Sequence, residues 1–251
     1  MEITNNIVKW VYSLQQKKNR VKEQCFVVEG TKCVLDTLEH FPLRHLFCSQ
    51  EWAEKHAGLK CDAMAVATKV QLERMSMLKT ATDVIAVYSM PDYELDENEI
   101  RNSLNLVLDG VQDPGNLGTI IRIADWFGIR NIICSENTVD VYNPKVVQAT
   151  MGAISRVKVF YRNLPDVFRE YASLPVYGTF LDGTNLYEEE LSASGFVVMG
   201  NEGNGISKEL EKFMTKRLLI PSYPVGIPTS ESLNVGMATA VIVSEFRRRM
   251  M

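Results

Sequence analysis

Short apolar runs bounded by glycine, proline or polar clusters recur along the chain. They alternate with stretches whose apolar positions repeat with helical period. In the first part the pattern predicts a helix over 7–16, followed by the basic run KKNRVK. A strand over QCFVVEG (24–30) and a helix over TKCVLDTLEH (31–40) come next, then a strand at LRHLFCS and a helix at EWAEKHAG. AMAVAT reads as a strand, VQLERMSML as a helix and DVIAVYSM as a last strand. Such alternation describes a small α/β unit.

The pattern breaks at MPDYELDENEIRNS, 90–103, which is acidic, contains a proline and is poor in apolar residues. This segment divides the chain near residue 95, into 1–95 and 96–251. In the second part LNLVLDG is a buried strand and GTIIRIADWFG a helix stopped by Gly128. A strand at 131–134, a helix over VVQATMGAIS, a strand VKVFYR, a helix LPDVFREYA and a strand PVYGTFLDG follow. GFVVMG is a strand, GISKELEKFM a helix, RLLIP a short strand, and SLNVGMATAVIVSEFRRR the final helix. The expected fold is α/β: a mostly parallel sheet with helices on both faces, preceded by the smaller unit.

Composition changes this picture little. With 251 residues, 46% hydrophobic and 23% charged, the chain has the makings of an ordinary globular core. A net charge of -4 supplies no global field for nucleic acid, so any such contact is local. The densest basic cluster before residue 95 is Lys17, Lys18, Arg20 and Lys22, which serves either as an RNA-contacting patch or as a solvated face. Arg247, Arg248 and Arg249 close the last helix, where positive charge is favoured. Five cysteines without paired spacing read as buried free thiols in a reducing compartment. Three histidines and no CxxC make a metal site unexpected. The N-terminus lacks a basic segment leading into an apolar one, and no apolar run approaches a bilayer span, so a cytoplasmic location without membrane contact is expected.

Three polar, glycine-rich loops follow apolar strands in the second part: DGVQDPGNLG at 109–118, GNEGNG at 200–205 and PSYPVGIPTSESLN at 221–234. In a parallel sheet such loops line the binding crevice. The first is neither GxGxxG nor GxxxxGK[ST], which argues against a dinucleotide site or a P-loop, and hence against a dehydrogenase. Asn116 reads either as the cap of a helix beginning near Thr119 or as a site residue. Arg122 is either the structural partner of a carboxylate or a fork reaching from an apolar pocket to a phosphate and a hydroxyl. Glu202 is placed as an N-terminal carboxylate of a helix starting at Ser207, and Ser232 as an N-cap or a site residue. Pro221, Pro224, Pro228 and Gly226 stiffen the third loop, and Gly236, Ala238 and Ala240 let the last helix pack closely against the sheet.

Together, DPGNLGTIIRIAD, VVMGNEGNGIS and ESLNV resemble the three motifs of the SpoU (TrmH-like) RNA ribose 2'-O-methyltransferases of the SPOUT superfamily. NRVKEQCFVVEGTKCVLDTL resembles the accessory substrate-binding domain, similar to ribosomal protein L30/L7Ae, that many members carry. The resemblance implies a C-terminal deep trefoil knot, bent S-adenosylmethionine held in that knot, and a homodimer with sites near its interface. It implies methyl transfer to a ribose 2'-hydroxyl of structured RNA. Ribosomal RNA is favoured, transfer RNA is the alternative, and DNA is not expected. A catalytically silent RNA-binding assembly factor of the same fold is the non-enzyme alternative. Arg122 would act at the hydroxyl and the adjacent phosphate, Asn116 would orient the ribose or the arginine, and Glu202 would tune Arg122 or bind substrate. Ser232 and Asn234 would hold the hydroxyl or shape the loop. Thr179, Leu181, Gly200, Ile220 and Leu233 would grip the cofactor. Two departures from the family pattern are Gly236, where a small polar residue or alanine is usual, and a longer loop from 220 to 231.

Overall fold

The computed structural model describes residues 2–59, 61–224, 227 and 230–251. It has two compact units, Met1–Asp92 with Asp140–Ser155, and Tyr93–Val139 with Arg156–Met251.

In the first unit, strands β1 (Cys25–Glu29), β2 (Leu43–Cys48), β3 (Met64–Val66) and β4 (Val84–Ser89) form a sheet in the order β1-β4-β2-β3. β4 is antiparallel to both neighbours, and β2 and β3 are parallel. One face, carrying Cys25, Val27, Phe47, Ile85 and Val87, is covered by α1 (Asn5–Ser13) and α5 (Lys69–Met75) through Val8, Val11, Leu72 and Met75. The other face carries Phe26 and Tyr88, and α3 (Thr31–Thr37) lies over it. Residues 140–155 complete that cover with α8 (Pro144–Thr150) and a 3-10 turn, Ala153–Ser155; the Tyr142 ring lies 4.6 Å from that of Phe26. A segment following a strand of the second unit thus supplies part of the first unit's core. The basic run KKNRVK is itself a helix, α2 (Lys17–Glu23), ended by Gln24 in the left-handed region at φ 50°. The chain continues through α4 (Gln50–Lys55), capped by Ser49.

In the second unit, the acidic segment after residue 92 contains a short helix, α6 (Glu97–Asn102), capped by Asp96. Next come β5 (Leu104–Leu108), α7 (Pro114–Trp126), β6 (Asn131–Cys134), β7 (Lys158–Tyr161), α9 (Leu164–Glu170) and β8 (Val176–Asn185). β9 (Gly195–Met199), α10 (Lys208–Glu211), β10 (Lys216–Leu219) and α11 (Val235–Arg248) complete it. The six strands pair in parallel in the order β10-β8-β9-β5-β6-β7. β5, β6 and β9 are buried along their whole length, as strands covered on both faces must be. On one face Val107, Ile133, Phe196 and Val198 pack with α6 and α9 through Ile100, Leu164, Val167 and Phe168. The opposite face carries Tyr177, whose ring lies 5.0 Å from that of Phe246 on α11, and α7 packs beside α11. The helix expected over GISKELEKFM is only the four residues of α10.

α7 and α11 run side by side in the same direction. At their starts, a Cβ on Gly236 would meet Thr119 Cγ2 at 3.2 Å, so the close approach this glycine permits is to α7 and not, as expected, to the sheet. At their ends, the Arg247 guanidinium donates to the carbonyls of Phe127 (2.7 Å) and Gly128 (3.1 Å), satisfying the last turn of α7. Arg248 and Arg249 grip Glu245, and Arg249 also donates to the carbonyls of Leu186 and Glu189. The arginine triplet is engaged with the protein's own backbone and Glu245.

All five cysteines are free; burial pushes the thiols of Cys25, Cys33, Cys48 and Cys134 up, away from the thiolate a nucleophile needs. Among the described residues no helix is long and apolar enough to cross a membrane, and no group of three or more His, Cys, Asp or Glu is placed to hold a metal ion.

Candidate active site

β5 and β9 are neighbours in register, Leu108 opposite Met199. The sheet order reverses here: β6 and β7 extend to one side of β5, while β8 and β9 lie on the other. Loops leaving the carboxyl ends of such strands diverge and open a crevice. They are the first two glycine-rich loops of the sequence.

The first loop ends in a strong helix start. Asp113 is the N-cap of α7, its Oδ1 accepting from the Asn116 N–H at 2.8 Å, and Pro114 takes the first turn, where no amide hydrogen is needed. The helix therefore begins more than a turn before Thr119, and Asn116 is not its cap. Its side chain serves other loops. Nδ2 donates to Glu202 Oε1 at 2.9 Å, and Oδ1 accepts from Asn234 Nδ2 at 2.9 Å. One amide joins the three loops that the sequence singled out.

Glu202 also accepts from the backbone N–H groups of Asp113 (3.3 Å) and Gln112 (3.4 Å). It faces the positive end of α7, not that of the helix after Ser207. At that later helix Asp109, a residue the sequence did not single out, accepts from the Ser207 N–H at 2.7 Å. Partial burial pushes the Glu202 carboxyl up, but hydrogen bonds from Asn116, its own N–H, Asp113 and Gln112 together outweigh it. The group consequently titrates below its ordinary range.

Asn201, also unforeseen, ties the second loop to the first by donating to the Gly110 carbonyl at 2.7 Å. Its Oδ1 accepts from the Gly203 and Asn204 amides, and its backbone exchanges two hydrogen bonds with Gly205. This tight turn presses on Gly200: a Cβ there would lie 2.2 Å from the Gly205 carbonyl carbon. Gly200 is thus required by its own loop.

Asn234, not Ser232, caps α11, its Oδ1 accepting from the Gly236 (2.9 Å) and Met237 (3.3 Å) amides. Ser232 and Leu233 lie just before it and are exposed. Arg122 sits on α7 one turn beyond Thr119, exposed, its side chain making no hydrogen bond or ion pair among the described residues. Gly226 and Pro228 of the third loop lie outside the described residues.

Of the remaining candidates, Ile220 is half-buried just past β10. Thr179 and Leu181 lie in residues 179–183, a bulge of β8 that has no counterpart in β10. Pairing runs through Gly178 and resumes at Thr184, while β10 steps only from Arg217 to Leu218. Leu181 is 71% exposed. In the first unit, Lys17, Lys18 and Lys22 stand on the exposed side of α2. Arg20 turns inward: it is 2% exposed and donates to the carbonyls of Leu14 (2.8 Å) and Gln15 (2.7 Å) and to Asp140 (2.5 Å). It is an internal tether, beneath the face the lysines occupy.

An exposed cation, an amide polarised by a carboxylate, and apolar side chains beside irregular backbone can hold a phosphate, orient a hydroxyl and bind a nucleoside-bearing cofactor. Residues 103–244 match the SpoU rRNA Methylase family, and residues 5–86 the MRM3-like substrate binding domain. The chain is 31% identical to the Bacillus subtilis 23S rRNA (guanosine(2553)-2'-O)-methyltransferase RlmP, covering 97% of this chain and 96% of that one. A solved structure of a TrmH-family protein from Porphyromonas gingivalis superposes with a TM-score of 0.89 at 39% identity, over 99% of this chain and all of the other. The AdoMet-bound rRNA methyltransferase of Sinorhizobium meliloti superposes with a TM-score of 0.86 at 28% identity, over 100% of this chain and 97% of that one.

Proposed function

Because this chain belongs to the SpoU rRNA methylase family, we propose that it transfers a methyl group from S-adenosylmethionine to a ribose 2'-hydroxyl of ribosomal RNA at the crevice between β5 and β9. The observation that carries this reading is the pair of hydrogen bonds by which Asn116, on the helix that bears Arg122, joins Glu202 to Asn234. S-adenosylmethionine, when bound, supplies a methyl on a positively charged sulfur, so the leaving group needs no metal. The protein's task is then to align the hydroxyl and assist loss of its proton.

Arg122 holds the phosphate beside the target ribose and lies at its hydroxyl. Abstraction of the hydroxyl proton by the arginine and deprotonation assisted by the phosphate both require this residue. Asn116 orients the ribose, held in one pose by Glu202. Ser232 and Asn234 complete the hydroxyl's surroundings. Thr179, Leu181, Gly200, Ile220 and Leu233 contact the cofactor, with apolar side chains against the adenine and backbone groups against its polar edges.

Lys17, Lys18 and Lys22 supply phosphate contacts from the first unit, with Arg20 fixing α2 beneath them. The match of residues 5–86 to a substrate-binding domain supports this assignment. The protein is a cytoplasmic homodimer, and the exposed Trp126 at the end of α7 lies in the surface that a second copy covers. A C-terminal trefoil knot belongs to this reading through the family membership alone.

The test is transfer of labelled methyl from S-adenosylmethionine to ribosomal RNA of a strain lacking this protein, followed by digestion to nucleosides. Label is expected in one 2'-O-methylnucleoside. Arg122→Ala should lower turnover by at least about 100-fold while leaving cofactor affinity within about twofold. Label on a base, or none with cofactor and RNA both bound, overturns the assignment.

A further inference from the structure

The bulge at 179–183 is built, not slack. Gly178 and Gly183 bracket it, and neither leaves room for a side chain. A Cβ on Gly178 would lie 2.5 Å from the Phe180 ring and 2.7 Å from the Met214 sulfur, and one on Gly183 2.7 Å from the Arg217 carbonyl oxygen. Phe180 therefore folds back over its own strand. The Arg217 guanidinium lies on that ring, 3.5 Å from its centroid, close enough for a cation–π contact. The same group donates to Asp182 Oδ1 at 2.6 Å and to Glu211 Oε2, at the end of α10, at 2.9 Å. One planar cation thus holds the bulge at Phe180 and at Asp182 and ties it to α10. Leu181, between the two held residues, is left largely exposed.

We infer that Arg217 is a positioning residue for the methyl donor: by clamping Phe180 and Asp182 it fixes the bulge so that Leu181 and the Thr179 backbone are presented to the cofactor in one conformation. This rests on the proposed assignment of Thr179 and Leu181 to the cofactor site. Arg217 itself touches no cofactor. Exposed ion pairs contribute little to global stability, so its effect lies in the order of the bulge. A loop already held in its binding conformation loses less freedom when ligand arrives, and affinity rises accordingly. Lysine keeps the charge but has neither the flat face for Phe180 nor the fork that reaches two carboxylates.

The experiment combines calorimetric titration of S-adenosylmethionine, amide hydrogen exchange and steady-state kinetics on the full chain. In the wild-type protein, cofactor should slow exchange within 179–183. Arg217→Ala should quicken exchange there before cofactor is added, weaken binding about tenfold, and raise KM for the cofactor with kcat at saturation nearly unchanged. Arg217→Lys should recover only part of the affinity. Asp182→Asn, a mild change at an exposed position, should weaken binding about threefold and keeps the test open if Arg217→Ala fails to fold. If cofactor binds the wild-type protein without protecting 179–183, the assignment of Thr179 and Leu181 falls. If it protects them yet Arg217→Ala or Asp182→Asn binds as tightly as wild type, the clamp is overturned.

Discussion

Asn116 donates through Nδ2 and accepts through Oδ1, so replacing it touches two loops at once. Asn116→Asp keeps the size and the acceptor but sets a second carboxylate against Glu202. Two such groups cannot both ionise without mutual cost, so one of them titrates upward. The variant should lose most of its activity near neutrality and regain part of it as pH falls and a proton is shared, which a pH–rate profile reads. In the wild-type protein the sign is opposite. The Glu202 carboxyl titrates below its unfolded value, so its contribution is fully present above the ordinary carboxylate range and is lost as pH falls through the lowered pKa. Glu202→Gln should flatten that acid limb of stability in equilibrium unfolding. The sequence marked Asn116, Glu202 and Asn234 by glycine-rich context and family resemblance. It left Asp109 and Asn201 unmarked because their partners are backbone groups of other loops, which no local spacing reveals.

At the scale of elements, α7 depends on a start written in Asp113-Pro114, upstream of the glycine and Thr119 at which its apolar period begins. An aspartate followed by proline is a cap and a first helical residue. Asp113→Ala should cost about 1 kcal/mol in denaturant unfolding. It should lower activity as well, because the Asn116 amide hydrogen loses its acceptor. No change in either measurement would show that the cap does not set the loop. The buried strands were legible because apolar runs flanked by turn residues have few alternatives in a parallel sheet. The helix over KKNRVK was not, since its one inward side chain is Arg20, and an arginine gives no apolar period to read. The bulge in β8 was hidden for a similar reason: TFLDG reads as strand, and the room its glycines lack is a tertiary fact.

For the molecule as a whole, nothing in the composition of residues 140–155 announces that they pack against β1 of the first unit. The buried contact between Arg20 and Asp140 joins this segment to α2. Asp140→Ala would leave the Arg20 charge buried with only the Leu14 and Gln15 carbonyls, and should destabilise the fold by about 3 kcal/mol in thermal or denaturant unfolding. A loss under about 1 kcal/mol would place the guanidinium in solvent. Trp126, 84% exposed, supports the second-copy assignment. Trp126→Asp should convert a dimer to a monomer in light scattering after size-exclusion chromatography, with transfer reduced in parallel; a wild-type monomer would remove this part of the proposal.

The most direct measurement is a double-mutant cycle in kcat/KM for methyl transfer, using Asn116→Ala, Glu202→Ala and the pair of substitutions together. Residues that work as one hydrogen-bonded unit are not additive. Each single change should cost at least about tenfold, and the double variant little more than the worse single one. Losses that multiply, or full turnover in either single variant, would contradict a site assembled through the Asn116 amide.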